Sequence, residues 1–217
     1  MKDWNKYLAI VEERPQLFTK EGLEIILDKE IITTFESGGG REIGIAYESP
    51  WRYMLVDLVR NETGQLFAYE RIVPVKTGGV AILPIYEEDK MVLVKQYRHP
   101  TQCWNWEIPR GFGEGAALTA MQNAAKELLE ETGIKMAKFS HLGKLSPDSG
   151  LTSDQIDLFL AEIKEPNVTL NEKEETEAIT KVKLFPLDEV KKLIVKGEIT
   201  DSFTLSALGL WQLRKEA

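Results

Sequence analysis

The stretch that decides the fold of this chain is residues 107–134, which read EIPRGFGEGAALTAMQNAAKELLEETGI. Its first part is rich in proline and glycine and predicts a loop, and its second part predicts one amphipathic helix that begins near Leu118 or Thr119. Thr119 suits the N-cap of this helix, and Gly133 suits a left-handed C-cap. The expected buried face consists of apolar residues at steps of three and four, namely Leu118, Met121, Ala125, Leu128 and Leu129.

Three carboxylates lie near the end of this helix. The spacing of Glu127, Glu130 and Glu131 puts them on neighbouring ridges of one face, where they repel one another. They also lie in the last turns, where the helix dipole disfavours negative charge. A divalent cation removes both conflicts, because Mg2+ takes oxygen ligands and couples them to substrate phosphates. The alternative is a solvated acidic face, but the glycine-rich loop before the helix and the glycine after it favour a metal site.

A family resemblance rests on residues 126–134, KELLEETGI. They resemble the second half of the Nudix box, which reads Arg-Glu-apolar-x-Glu-Glu-x-Gly-apolar, with Lys126 in place of the arginine. The first half departs from the pattern, because counting strictly back from Gly133 puts Phe112 at the position of the family's glycine. Glu114 resembles the family's first glutamate, displaced by a longer loop.

Composition and charge exclude several classes of protein. With 217 residues, 43% hydrophobic and 29% charged, the chain is typical of a globular protein with one domain and an extension. Its net charge of −8 argues against a nucleic-acid-binding surface. The single Cys103 excludes an internal disulfide, and two histidines argue against a zinc site. No apolar run of membrane-spanning length and no signal peptide is evident, so we expect a cytoplasmic protein without a membrane partner.

The order of expected elements divides the chain near residues 74–79. We predict an N-terminal extension over 1–75, with a helix at 3–13 and a hairpin of strands at 51–60 and 65–73. Two further apolar runs, 23–27 and 31–35, fit strands or a helical turn. The extension is expected to be mainly β.

The remainder, 76–217, is the expected main domain. Its predicted strands are 79–85, 90–97, 139–145, 154–163 and 178–186. A helix is expected at 187–195, and a last helix, capped by Asp201 or Ser202, is expected to bury Leu205, Leu208, Trp211 and Leu213. Strands mixed with helices predict an α/β architecture with a mixed sheet between helices. The resemblance implies the same, a Nudix α/β/α sandwich.

Further segments resemble the ADP-ribose pyrophosphatase-like branch of the Nudix superfamily. They are QYR at 96–98, WEIPRG at 106–111, LSPDSG at 145–150, the acidic run 172–179 and KGEITDS at 196–202. The resemblance implies Mg2+-dependent hydrolysis, with Mn2+ as a substitute, of the pyrophosphate bond in a small-molecule nucleotide. ADP-ribose or a related nucleotide sugar would give a nucleoside monophosphate and a sugar phosphate. The branch also implies a homodimer formed through the extension.

The resemblance assigns roles to individual carboxylates. Glu127, Glu130 and Glu131 match positions that ligate divalent ions, and the backbone carbonyl of Arg110 matches a further ligand. In the acidic run, Glu177 would help to hold metal, while Glu175 would orient or deprotonate the attacking water. Glu130 is a second candidate for a catalytic role. The alternative for the acidic run is a solvated turn.

Substrate-binding candidates are two arginines and a group of aromatic residues. Arg98 follows a buried strand and suits a bidentate grip on a phosphate, or else a salt bridge to a carboxylate at the edge of the core. Arg110 stands where the family carries a small residue, and its side chain reaches a phosphate or is solvated. Candidates for stacking on an adenine ring, each with a core position as its alternative, are Trp51, Tyr53, Trp104 and Trp106.

Two other functions fit the same residues. One is a Nudix hydrolase of a different substrate, such as a dinucleotide, a coenzyme A compound or a nucleoside triphosphate. The other is a non-catalytic Nudix-like domain that binds nucleotide sugars. The intact KELLEE core at 126–131 favours catalysis over binding alone.

Overall fold

The computed structural model describes residues 1–19, 22–113, 117–165 and 179–216. The chain separates into two compact units. The first consists of Met1–Val75 together with Asp148–Asp154, and the second of Lys76–Pro147 together with Gln155–Ala217. The loop at 148–154, which the sequence placed in the second segment, packs with the first unit through backbone hydrogen bonds to Ile72.

The described part of the first unit contains a four-stranded antiparallel sheet and two α-helices. The strands are β1 (Glu24–Ile25), β2 (Gly44–Glu48), β3 (Arg52–Arg60) and β4 (Leu66–Pro74), and the helices are α1 (Trp4–Glu13) and α2 (Lys29–Ser37). Strand β3 pairs with all three other strands. The two apolar runs that the sequence left ambiguous are therefore a short strand and a helix. The side chain of Asp28 caps α2 by accepting hydrogen bonds from two backbone N–H groups.

A buried polar network ties α1 to this sheet. The hydroxyl of Tyr7 donates a hydrogen bond of 2.5 Å to Asp57, which is also buried. Burial raises the pKa of Tyr7, and the neighbouring Asp57 adds to this effect. The other oxygen of Asp57 pairs with Arg71 at 2.6 Å, so both carboxylate oxygens are satisfied.

Among its described residues, the second unit contains a seven-stranded mixed sheet. Its strands are β5 (Val80–Tyr86), β6 (Lys90–Arg98), β7 (Cys103–Glu107), β8 (Arg110–Gly111), β9 (Ala137–Leu145), β10 (Ile156–Ile163) and β11 (Ile179–Pro186). The main path runs β11-β6-β5-β10-β9, with β7 on β6 and β8 on β5. Strand β10 is parallel to β5 and the other pairs are antiparallel, so the predicted mixed sheet is confirmed.

Helices cover both faces of this sheet. They are α3 (Ala120–Thr132), α4 (Leu187–Val195) and α5 (Ser202–Glu216). Along β5, Val80 and Ile82 share a core cluster with α3, while Ala81 and Leu83 share another with α4 and α5. Because neighbouring residues of a strand face opposite sides, β5 is buried on both. The predicted α/β/α sandwich is confirmed. No helix among the described residues is long and apolar enough to cross a membrane.

The predicted inward face of the last helix is partly wrong. Leu208 and Trp211 are buried, but Leu205 is exposed and Leu213 is 64% exposed. The remaining buried residues of α5 are small, Thr204 and Ala207. Leucines lie around most of α5, so the apolar pattern does not choose a face, and close packing against the sheet selects the side with the smaller residues.

Candidate active site

Both ends of α3 carry the caps that the sequence predicts. The Thr119 hydroxyl accepts a hydrogen bond from the backbone N–H of Gln122, whose side chain accepts one from the Thr119 N–H at 2.9 Å, which completes a capping box. Gly133 has φ 75° and donates its N–H to the carbonyl of Leu129 at 2.8 Å. The helix that carries the three carboxylates is therefore fixed at both ends.

The buried face of α3 differs from the predicted one. The predicted residues that are at least partly exposed are Leu118, Met121, Ala125 and Leu129. The fifth predicted residue, Leu128, is buried as expected, and Ala124, which was not predicted, is buried with it; both share a cluster with Ile82 of β5. The apolar residues of α3 form two adjacent stripes, and packing on the sheet buries only one of them.

Because α3 buries a different face from the predicted one, its three carboxylates do not all point the same way. Glu127 and Glu131, one turn apart, lie on the buried side of the helix. The side chain of Glu130 is 52% exposed and pairs with Lys126 at 3.2 Å. Two of the three predicted helix ligands therefore face the interior, and the third faces solvent.

The carboxyl group of Glu127 lies directly against the backbone of the loop. A Cβ atom on Gly111 would stand 1.9 Å from Cδ of Glu127 and 2.2 Å from its Oε1. No side chain fits in this space, so glycine at 111 is required for Glu127 to point where it does. The glycine-rich character of the loop thus serves the close approach of a carboxylate.

Contacts from α3 also hold the rest of the loop. The side-chain amide of Asn123 donates hydrogen bonds to the carbonyls of Phe112 at 2.9 Å and Gly78 at 3.2 Å. A Cβ atom on Gly113 would stand 1.7 Å from the carbonyl oxygen of Thr77. Residues 111–113 are therefore wedged between α3 and the segment that leads into β5.

A buried carboxylate at the end of β7 joins two arginines. Glu107 is inaccessible to solvent, and its Oε1 lies 2.6 Å from Nη2 of Arg98. Its Oε2 lies 3.3 Å from Nη2 of Arg110. For Arg98 the structure thus contains the salt bridge that was the second of its two sequence interpretations. Arg110 is paired rather than solvated.

The start of α5 completes this network. Oδ1 of Asp201 lies 3.5 Å from Nη1 of Arg110, whose guanidinium also stacks on the ring of Phe203 at 4.1 Å. Oδ2 of Asp201 accepts hydrogen bonds from the N–H and the hydroxyl of Thr204. The hydroxyl oxygen of Thr204 in turn accepts the N–H of Ile108 at 3.0 Å. The expected cap by Asp201 is confirmed, and it is linked to the loop.

Burial sets the protonation tendencies of this network. Desolvation raises the pKa of Glu107, and the positive charges of Arg110 and Arg98 oppose the rise. Desolvation also lowers the pKa of Arg110, while the negative charges of Asp201, Glu107 and Glu131 oppose that change. Glu107 and Arg110 each remain charged only because oppositely charged side chains lie beside them, since an unpaired charge in the protein interior is strongly destabilising.

The arrangement suits a hard cation in part. Glu127 and Glu131 supply buried carboxylates, and Glu127 lies against Gly111 of the loop; carboxylate oxygens are the donors that Mg2+ and Mn2+ prefer. In the described parts of the chain, no three acidic, histidine or cysteine side chains gather closely enough to hold a metal. The remaining predicted carboxylates, Glu114, Glu175 and Glu177, lie outside the described residues.

The aromatic candidates for base stacking lie in different environments. Trp106 packs edge-on against Phe185 in the core cluster of the second unit, which was its alternative interpretation. Trp104 is exposed. Trp51 and Tyr53 belong to the first unit, where Trp51 is 62% exposed. Their role in substrate binding stays a prediction.

Sequence reasoning did not identify several residues of this site. Glu107 lies in a segment that resembles the family, but the sequence assigns no role to it, to Thr204 or to Asn123. Glu107 is the last residue of β7, where a carboxylate between Trp106 and Ile108 is an unusual polar residue in an apolar stretch. That contrast was the available signal, because a buried carboxylate needs cationic partners.

Both the sequence and the fold of this chain are similar to those of known proteins. A family model described as NUDIX domain matches residues 75–203. An ADP-ribose pyrophosphatase of Bacillus subtilis (strain 168) is 31% identical over 144 residues, which is 64% of this chain and 74% of that protein. A methanol dehydrogenase activator of Bacillus methanolicus is 32% identical over 141 residues, with the same coverage. A crystal structure of an ADP compounds hydrolase superposes with a TM-score of 0.66 at 21% identity, covering 80% of this chain and 91% of that one.

Proposed function

Because this chain belongs to the NUDIX family and is a pyrophosphohydrolase of that family, we propose that its substrate is ADP-ribose or a related nucleotide sugar. Hydrolysis would yield a nucleoside monophosphate and a sugar phosphate. The observation that carries the proposal is the pair of buried carboxylates, Glu127 and Glu131, with Glu127 cradled by Gly111. The relatives named above as ADP-ribose pyrophosphatase and ADP compounds hydrolase support this substrate class.

Nudix hydrolases use divalent cations, and we propose Mg2+ here, with Mn2+ as a substitute. The residues that would hold it are Glu127, Glu130, Glu131, Glu177 and the carbonyl of Arg110. When bound, the metal would neutralise the diphosphate and lower the pKa of the attacking water. The exposed position of Glu130 suits a group at the solvent side of the site, where it could ligate metal or assist catalysis.

The chain's own residues would handle the water and its proton. Glu175 would orient the water and accept its proton as the new P–O bond forms and the bridging P–O bond breaks. The proton would then leave to solvent, and the released phosphate would carry the negative charge. Arg98 and Arg110 would contact the phosphates of the substrate, and in this structure each is paired with Glu107.

The experiment that tests this proposal is a hydrolysis assay with ADP-ribose and Mg2+. We expect Glu131→Gln to lower kcat by about 10²-fold or more, because it removes one charged oxygen ligand from a buried site. The control is Glu189→Gln on α4, whose half-exposed carboxylate pairs with Lys183 at the surface. Full activity of Glu131→Gln would disprove the metal assignment.

The substrate class needs a separate comparison. We expect kcat/KM to be highest for ADP-ribose or another nucleotide sugar in a panel that includes a dinucleotide, a coenzyme A compound and a nucleoside triphosphate. A preference for any of the last three would contradict the proposed substrate while leaving the pyrophosphohydrolase chemistry intact.

We also propose that the protein is a homodimer formed through residues 1–75. Aromatic side chains of the first unit are exposed, notably Tyr47 on β2 and Trp51 just before β3, and exposed apolar surface often marks an interface. Light scattering at micromolar concentration should give the mass of two chains. A monomer mass would contradict this proposal.

A further inference from the structure

We propose that Asp201, at the start of the C-terminal helix α5, is a positioning residue that holds the loop at 108–111 through Arg110. The inference rests on the proposed function, because the loop matters if its Arg110 carbonyl and the neighbouring Glu127 bind metal. Asp201 itself is not proposed as a ligand or as a catalytic residue.

The first step concerns charge. Arg98, Glu107, Arg110 and Asp201 alternate in sign along one chain of contacts of 2.6, 3.3 and 3.5 Å, so the network as a whole is neutral. The Asp201 side chain is 7% exposed and that of Glu107 is 1% exposed. Without Asp201, Arg98 and Arg110 would share Glu107, with the negative charge of Glu131 acting on Arg110 as well. The guanidinium of Arg110 would then turn toward solvent or toward another carboxylate.

The second step concerns the backbone. The two oxygens of Asp201 serve different partners: Oδ1 faces the guanidinium of Arg110, and Oδ2 fixes Thr204. The hydroxyl oxygen of Thr204 accepts a hydrogen bond from the backbone N–H of Ile108. One carboxylate therefore restrains both ends of the three-residue segment 108–110, while the carbonyl of Pro109 between them accepts the N–H of Ile82 on β5.

The third step connects this segment to the carboxylates of α3. Gly111 follows Arg110 directly and forms the surface against which the Glu127 carboxyl lies. Movement of the Arg110 backbone would therefore shift both the predicted carbonyl ligand and the cradle of Glu127. Groups that orient metal ligands typically change metal affinity by about 10- to 100-fold when they are removed.

The experiment measures Mn2+ affinity without substrate, by the electron paramagnetic resonance signal of free Mn2+. The key variant is Asp201→Asn, since asparagine is as good an N-cap as aspartate and keeps the bond from Thr204, but it lacks the charge that faces Arg110. We expect about tenfold weaker Mn2+ binding, measured well below the melting temperature of every variant. The matched control is Asp188→Asn in the first turn of α4, an exposed carboxylate that should leave affinity within twofold.

Two further variants test whether Asp201 acts through Arg110. In an Arg110→Ala background, Asp201→Asn should change Mn2+ affinity by less than twofold, because its partner is absent. Phe203→Leu removes the ring under the Arg110 guanidinium while leaving the cap intact, and it should also weaken binding. This variant decides the question if Asp201→Asn does not fold.

The outcomes separate the inference from the proposed function. Unchanged Mn2+ affinity in Asp201→Asn and in Phe203→Leu would overturn the positioning role. An equal loss with and without Arg110 would also overturn it. Tight Mn2+ binding by the wild type without hydrolysis of ADP-ribose would contradict the proposed substrate alone. No Mn2+ binding by the wild type would overturn both.

Discussion

Gly111→Ala tests whether the position of the Glu127 carboxylate is the decisive feature of the site. The new Cβ would lie 1.9 Å from Cδ of Glu127, whereas carbon atoms in contact stand about 3.5–4.0 Å apart. The carboxyl group must therefore move by about 1.6 Å or more. The backbone itself tolerates alanine, because Gly111 is not among the glycines with positive φ.

The expected consequence is a large loss of activity with a small loss of stability. A misplacement of about 1 Å in a reacting constellation costs roughly 10²-fold, so we expect kcat/KM to fall by at least that factor. Overpacking costs about 1–3 kcal/mol, and alanine offsets about 0.4–1 kcal/mol of this through the unfolded state. The free energy of unfolding should thus fall by no more than about 3 kcal/mol.

The measurements are ADP-ribose hydrolysis at saturating Mg2+ and urea unfolding of the same preparations. The control is Gly209→Ala within α5, where a Cβ would meet no atom within 4 Å. It should keep full activity and gain up to about 1 kcal/mol from helix propensity. If Gly111→Ala retains more than a third of the wild-type kcat/KM, Glu127 does not need its observed position and the reasoning fails.

Three predictions concern stability. Leu128→Ala should cost about 3–5 kcal/mol in urea unfolding, whereas Leu129→Ala on the exposed side of α3 should cost less than about 1 kcal/mol; equal losses would contradict the observed face. Tyr7→Phe should cost about 1–3 kcal/mol, seen as a lower melting temperature, because Asp57 loses a buried donor, and an unchanged value would exclude that network as a stabilising element. Thr119→Ala should cost about 1 kcal/mol through the lost cap, and no change in thermal unfolding would count against the capping box.

Local patterns in the sequence were sufficient for the main elements. Thr119 and Gly133 bound α3 as expected, since caps depend on the chemistry of a few adjacent residues. The strongly apolar runs at 79–85 and 90–97 correspond to β5 and β6, and the family resemblance implied the α/β/α sandwich. The short strands β7 and β8 were not predicted, because a strand in a loop-like sequence such as Arg110–Gly111 exists only through its partner β5.

Side-chain orientation was less predictable. On α3 and α5, several leucines and one methionine that fit an apolar stripe are exposed, because the stripes are too broad to choose a face and packing decides. For the same reason the sequence grouped Glu130 with Glu127 and Glu131, although the helix turns Glu130 to solvent.

The sequence by itself determined the family, the layered fold and the three carboxylates of α3, because these depend on residue type and on spacing along one helix. Only the tertiary structure decided how the loop that contains Arg110 and Gly111 is held against these carboxylates. It brings Asp201, more than 90 residues after Arg110 in the chain, into contact with that arginine, and it presses Glu127 against Gly111. The physical reason is that buried charges and close backbone contacts are settled by partners that are distant in sequence, and spacing along the chain carries no information about such partners.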